Sequence, residues 1–310
     1  MNRYKIFVSV VSYRDPLVNF TIKSLLENKS DNHDIIISFF DQSDDDNYHL
    51  VELDSNIIYQ KIDPKFTNGV GWARHINSLN LSDEDFYYQI DSHVVFDKNW
   101  DEYLIKDYFK GVNYYNTDKI ILSSACKCYT MSESGTPVKL DVYLEKPFLV
   151  KFIKDCGFLD DKFLNPHGNW YKKIPDDEVI PAIHLHAGNV FTHGDYIKNV
   201  GICPHLYFNG EEQHLTLNSF AHEYKLLHHT SIHIYHFNGS DRHISKPWNH
   251  TIQDFGRIQR FQELGLKYWR NYMATIDTEI LERFFEYSGV DYINEVLEPR
   301  ALTIFGEIYE

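Results

Sequence analysis

The sequence predicts an α/β fold, with a central mixed sheet and a helical C-terminal extension. Three observations predict it. Runs rich in β-branched and aromatic residues alternate with helix-periodic stretches through the N-terminal part of the chain. One run, Phe86 to Ile90, has the character of a buried strand and stops on Asp91-Ser92-His93. The 310 residues, 43% hydrophobic and 15% aromatic, provide for a large buried core and exclude a disordered chain.

Residues 5 to 12, KIFVSVVS, read as the first strand, followed by Tyr13-Arg14-Asp15-Pro16. Val18, Ile22, Leu25 and Leu26 then fall on one face of a helix. Residues 34 to 40, DIIISFF, form a second strand that runs into the acidic stretch 41 to 46, expected as a solvated loop. A shorter third strand covers residues 56 to 62. Strand–helix–strand order at this spacing implies parallel pairing. Gly69 and Gly71 then precede a helix carrying Arg74. Such glycines can bring backbone amides close to a phosphate, with the arginine beside it, although turns also use glycine routinely.

Strand 86–90 leads to the Asp91-Ser92-His93 end. Side chains alternate along a strand, so Asp91 and His93 point the same way. A carboxylate and an imidazole side by side can grip a divalent cation while leaving positions open for a ligand. The plainer alternative is a strand cap, since Asp and Ser commonly start turns. A helix near residue 100 and a strand through residues 118 to 130 follow. Residues 131 to 180 read as irregular loops with one or two strands, a surface suited to acceptor recognition.

A strand over 179 to 196 carries Ala187-Gly188-Asn189 at its middle, where glycine marks close approach of a ligand or another backbone. Glu211 and Glu212 open an amphipathic helix. The helix dipole favours acidic residues there, and a polar floor beneath a bound sugar would use the same pair. Residues 231 to 243 read as a strand with His233 and His236, and with Arg242 and His243 nearby. Two domains are expected: residues 1–247, which hold the site, and a helical extension over 248–310.

The formal charge of −15 argues against a broad basic surface for nucleic acid or anionic membrane. Four cysteines are too few for a disulfide framework and read as reduced core residues. No stretch is long and apolar enough for a membrane span. The expectation is a cytoplasmic protein.

The pieces IFVSVVSYRDP, GVGWARH, FYYQIDSHVVFDKNWD, LHAGNVF, LYFNGEEQHL and IHIYHF occur in that order. Together they resemble the bacterial, protist and phage relatives of the cytoplasmic hydroxyproline polypeptide GlcNAc-transferase, a GT-A nucleotide-sugar glycosyltransferase. More distantly, the pattern is similar to polypeptide GalNAc-transferases, which also use Asp-x-His. The resemblance implies a retaining transferase that moves a sugar, GlcNAc above all, from a UDP-sugar to an acceptor hydroxyl on a protein. It implies that Asp91, His93 and His236 hold Mn²⁺ or Mg²⁺ and that Arg74 faces the diphosphate. Val11, Ser12, Tyr13 and Arg14 would border the nucleotide, with Ser92 beside the metal residues. Ala187, Gly188, Asn189, Glu211 and Glu212 would line the donor sugar and the attacking hydroxyl. Asn218 and Ala221-His222-Glu223 depart from the family pattern, which leaves the sugar and the acceptor open. Other readings are a phage-type enzyme acting on a hydroxymethylated DNA base, a non-catalytic nucleotide-sugar or glycan binder, and a zinc hydrolase using the same histidines.

Overall fold

The computed structural model describes residues 2–44, 56–140, 148–151, 157–164, 167–170, 179–230, 233–238 and 252–302. The first apolar run forms β1 (Lys5–Tyr13). Ile6, Val8 and Val10 enter one core cluster while Phe7 enters another, because β1 lies inside the sheet with both faces covered. Then come α1 (Val18–Asn28), β2 (Asp34–Gln42), β3 (Ile57–Lys61), α2 (Val70–Ser78) and β4 (Phe86–Ile90). β1 pairs in parallel with both β2 and β4, and β2 pairs in parallel with β3, as the spacing implies.

Beyond β4 the chain divides between two sheets. β5 (Val94–Phe96) precedes α3 (Trp100–Tyr115). The strand expected through residues 118 to 130 is two, β6 (Ile120–Ser123) and β7 (Lys127–Met131). β8 (Pro137–Lys139), β9 (Phe148–Lys151) and β10 (His167–Trp170) fall within the loop-rich region. β11 (Ile180–Pro181), β12 (Asn189–His193), α4 (Asp195–Asn199) and α5 (Glu211–Ala221) follow, then β13 (Lys225–His228) and β14 (Ile234–Phe237). The C-terminal part holds α6 (Ile252–Thr275), α7 (Thr278–Ser288), the short strands β15 (Val290–Asp291) and β16 (Val296–Leu297), and α8 (Pro299–Leu302).

The main sheet runs β11-β13-β6-β12-β4-β1-β2-β3, and a four-stranded sheet runs β5-β14-β7-β8. The main sheet is mixed because β12 pairs antiparallel with both β4 and β6. One core cluster joins β1, β2 and β4 to α1 and α3; another joins the opposite face to α5 and to Trp269, Leu281 and Phe284 of the last helices. The boundary expected at 247/248 lies outside the described residues, as do Arg242, His243 and Cys156. No described helix is long and apolar enough to cross a membrane. Cys126, Cys128 and Cys203 are free thiols.

Two expectations are corrected, and the structure gives Gly69 and Gly71 a packing role. The acidic stretch after β2 is not wholly a solvated loop. β2 continues to Gln42, so Asp41 is 2% exposed and accepts hydrogen bonds from Ser43 Oγ and Tyr59 Oη at 2.9 Å each. The 179–196 strand is interrupted, because its central backbone bonds to α5 side chains instead of a neighbouring strand. Leu185 N donates to Thr216 Oγ1 and Ala187 N to Glu212 Oε1, both at 3.0 Å. Gly69 and Gly71 serve the 203–207 segment. A Cβ at Gly71 would lie 2.5 Å from the Leu206 carbonyl oxygen, and Val70 N, beside Gly69, donates to Tyr207 O.

Asn77 fastens α2 to the sheet. Its Nδ2 donates to Ser9 Oγ and Ser38 O at 2.8 Å each, and its Oδ1 accepts from Ser38 Oγ at 2.6 Å. Asn77→Ala strands these buried partners, at about 1–3 kcal/mol for each group left unsatisfied. The expected result is a lower urea midpoint with an unchanged m-value; an unchanged midpoint refutes the fastening role.

Buried histidines make stability depend on pH. Burial pushes the pKa of His228 down to about 3 and that of His229 down to about 4, from an ordinary 6.5. Between about pH 6.5 and pH 4 the unfolded chain binds protons at these rings that the native chain does not. Stability therefore falls on acidification through that window, by up to about 1.4 kcal/mol per pH unit for each ring. Urea midpoints at about pH 7 and about pH 5 measure it. His228→Gln,His229→Gln should flatten the difference, and an equal drop in that variant assigns it elsewhere.

Candidate active site

Two chain crossings assemble the metal-type cluster. Asp91 and His93 follow the carboxyl end of β4, and Val94 opens β5 in the smaller sheet. There β14 pairs antiparallel with β5, placing His236 opposite Val94. One ligand atom each from Asp91, His93 and His236 lies within 4.8 Å of the others. His236 Nε2 is 3.5 Å from Asp91 Oδ2, and the two imidazoles meet edge to face at 4.5 Å between centroids. His233, the neighbouring candidate, instead stacks on Tyr103 at 3.6 Å.

Asp15 stands behind this cluster, and the sequence reading missed it. His93 Nδ1 donates to Asp15 Oδ2 at 2.7 Å, the same oxygen that accepts from Ser92 Oγ at 2.5 Å. A carboxylate bonded to Nδ1 fixes the ring orientation and puts the lone pair on Nε2, a common second layer behind metal-binding histidines. Arg14 makes the turn that delivers Asp15: its φ of 48° reverses the chain just after β1. The available signal was the Asp-Pro step directly after an apolar strand.

Arg74 occupies the middle of the site, 4% exposed. Its Nη2 donates to Asp91 Oδ1 and its Nη1 to Glu211 Oε2, each at 2.7 Å. Burial acts to raise the pKa of Asp91, but the His236 hydrogen bond and the charges of Arg74 and His93 outweigh it and hold the carboxyl far below its usual range. For Glu211 burial wins over Arg74, and its pKa is raised. Glu211 Oε1 is buried with no hydrogen-bond partner among the described residues. Glu212 is held otherwise: Oε1 accepts from Ala187 N, and Oε2 lies 3.4 Å from His184 Nε2. Burial opposes its ionisation, yet the hydrogen bond from His184 and the charges of His186 and His184 bring its pKa down to about 2.

These groups line a cleft of about 430 Å³ whose walls include Arg74, Asp91, His186, Gly188, Glu211 and Glu212. Gly188 is required there: Asp91 N donates to Gly188 O, and a Cβ on Gly188 would overlap the Asp91 carboxylate. Ala187 borders the cleft as expected. Asn189 does not reach it through its side chain, which accepts from Tyr88 Oη at 3.0 Å and donates to Ser124 O at 2.9 Å inside the sheet. Ser92 donates from Oγ to Asp15 Oδ2 and lies 3.4 Å from His93 Nδ1, behind the cluster and outside the lining of the cleft. Val11 packs with Phe40 and Ala73 beneath α2. Ser12 Oγ, at the same strand end, is buried without a partner among the described residues. Tyr13 is half-buried, and Arg14 pairs with Asp44 at 2.6 Å. The His-x-His of residues 184 and 186, unremarked in the sequence reading, is signalled by its alternation ahead of Ala187.

Comparison with solved structures places the fold. GalNAc-T7, solved with UDP, GalNAc and Mn²⁺, aligns over 92% of this chain and 55% of its own, at 12% identity and a TM-score of 0.56. The chain thus spans little more than half the length of that structure. Residues 1–349 of S. aureus TarS, solved with UDP-GlcNAc, align over 96% of this chain and 82% of their own, at 13% identity and a TM-score of 0.43. No curated protein sequence matches the chain significantly. The mixed sheet and its flanking helices form a GT-A glycosyltransferase fold. The sequence profile described as Glycosyltransferase (GlcNAc) matches residues 44–273, well over half of the chain. This protein, with its acidic cleft at the carboxyl end of β4, belongs to the Glycosyltransferase (GlcNAc) family.

Proposed function

We propose that the protein is a metal-dependent, retaining glycosyltransferase that moves a sugar, GlcNAc foremost, from a UDP-sugar to a protein hydroxyl. The observation that carries this reading is the convergence of Asp91, His93 and His236 beside the cleft that holds Arg74 and Glu211. The donor set fits a divalent cation: one carboxylate and two imidazoles, with His93 already oriented by Asp15. Mn²⁺ or Mg²⁺ bound there supplies positive charge to the leaving diphosphate. The GalNAc-T7 complex, with UDP and Mn²⁺ on the same fold, supports that assignment.

The protein's own groups divide the remaining work. Arg74 holds the Asp91 and Glu211 carboxylates in fixed relation, so both are oriented before the donor arrives. At the end of β1 the half-buried Tyr13 borders the nucleotide edge in this reading, with Val11 and the unpartnered Ser12 Oγ buried behind it. Arg14 contributes mainly the turn that delivers Asp15. Glu211 Oε1 is the acceptor left open to a sugar or acceptor hydroxyl, and Glu212 positions the Ala187-Gly188 backbone that edges the sugar site. Asn189 and Ser92 act through the structure around them. No separate inverting base is required for a retaining reaction.

Metal binding tests the reading directly. Mn²⁺ titration followed by thermal shift with UDP should show stabilisation by UDP that requires the metal. Asp91→Asn and His93→Ala should abolish that metal-dependent stabilisation and transfer with it, while Asp15→Asn should weaken Mn²⁺ by about 10–100-fold. Full activity of His93→Ala in chelator defeats the assignment; stabilisation by zinc alone favours a hydrolase.

The paired glutamates separate catalysis from helix capping. Loss of a helix N-terminal charge costs only about 0.3–1 kcal/mol of stability. Glu211→Gln should instead lower kcat/KM by about 10² or more, with UDP affinity retained. Glu212→Gln should do less, because a glutamine carbonyl can still accept from Ala187 N. Normal turnover in Glu211→Gln returns that residue to a structural role.

A further inference from the structure

A second cavity, of about 530 Å³, adjoins the catalytic cleft, with Phe163, Phe208 and Asn209 lining both. Its far wall is α6, through Gln259, Gln262, Glu263 and Leu266. α6 is fixed there by several contacts. Gly265 lets the helix approach so closely that a Cβ would stand 3.2 Å from both His205 O and Tyr207 N. That contact accounts for a glycine inside a helix, which otherwise costs about 1 kcal/mol relative to alanine. Arg257 Nη2 donates to Thr67 O at 2.7 Å. Trp269 stacks on Phe163 at 5.4 Å and donates from Nε1 to Asp161 O at 2.7 Å. The same helix thus forms the wall of the groove and holds Phe163 in its floor. Gly210 completes the join, because a Cβ there would lie 2.6 Å from Phe163 Cε1.

We propose that this groove between α6 and the 207–209 segment is the acceptor subsite, and that it takes an extended polypeptide of neutral or basic character next to the modified hydroxyl. The inference rests on the transferase reading and adds to it the place and chemistry of the acceptor. Because the groove and the cleft share the Phe208-Asn209 border, a chain that lies along the groove and passes that border brings its next residue toward Glu211 and Gly188. Phe208, 53% exposed, and Leu266 offer surface to aliphatic and ring side chains. Gln259, Gln262 and Asn209 carry both donors and acceptors, which suit the alternating N–H and C=O groups of a peptide backbone. Glu263 is the one charged side chain in the described lining, and no lysine or arginine accompanies it. Such a wall offers no counter-charge to a phosphate-bearing polymer and favours a neutral or cationic side chain beside Glu263.

The test uses the full-length protein with Mn²⁺ and radiolabelled UDP-GlcNAc. The acceptors are synthetic peptides bearing one hydroxyl residue flanked by lysine, alanine or glutamate, a neutral oligosaccharide, and single-stranded DNA with a hydroxymethylated base. Lysine- and alanine-flanked peptides should be labelled at least about tenfold better than glutamate-flanked ones. Glu263→Lys should reverse that order, and Gln262→Trp should fill the groove and raise peptide KM about tenfold or more. Both positions are exposed on α6, so these substitutions spare the core. UDP stabilisation with Mn²⁺, measured on each variant, reads the donor site separately. If UDP binds but only the oligosaccharide or DNA is labelled, or nothing is, the peptide groove is wrong and the donor assignment stands. A flank preference that ignores both variants also overturns the groove, and loss of UDP binding in the unmodified protein overturns the underlying transferase reading along with it.

Discussion

The buried Arg74 guanidinium, shared between Asp91 and Glu211, is the interaction on which the site depends. It joins three parts of the chain: α2, the end of β4 and the first turn of α5. A buried arginine is tolerable only with its charge matched, and removing one member of such a set leaves another stranded at about 3–5 kcal/mol. The neighbouring elements are arranged around that need. Asn77 clamps α2 to β1 and β2, and Gly71 lets the 203–207 segment lie against the same helix. That segment leads directly into Gly210 and Glu211.

The smaller sheet gives the second constraint. β5 follows His93 immediately, and its partner β14 brings His236 to the Asp91-x-His93 corner. Asp15 closes the corner from the other side, directly after Arg14, whose backbone is left-handed. A cluster of one carboxylate and two imidazoles is thus held from the main sheet, the small sheet and the β1–α1 turn. Asp15 holds the His93 ring and Arg74 holds the Asp91 carboxylate, so two of its members are fixed by the protein itself.

α6 connects the catalytic half to the C-terminal helices. Trp269 enters the core cluster that includes Leu206 and Leu215, and Gly265 seats the helix on residues 205–207. The extension therefore shares its core with the site-bearing part and shapes the mouth of the cleft.

The sequence alone determined a good deal. β1, β2 and β4 were legible because strands buried on both faces read as continuous apolar runs. The shared direction of Asp91 and His93 followed from strand alternation, a local rule. Asp15, His184 and the split of residues 118–130 into two sheets were not legible, since each depends on partners distant in the chain. The resemblance puts Asn189 and Ser92 at the site, but only tertiary packing decides which way a side chain faces: Asn189 bonds inside the sheet, and Ser92 bonds to Asp15 behind the cluster. For Gly69 and Gly71 the sequence allows either a close approach to phosphate or an ordinary turn, and the fold presses the 203–207 backbone against them. Local periodicity determines which elements form; the close approach of segments far apart in sequence decides which of their groups meet, because only the folded core sets those distances.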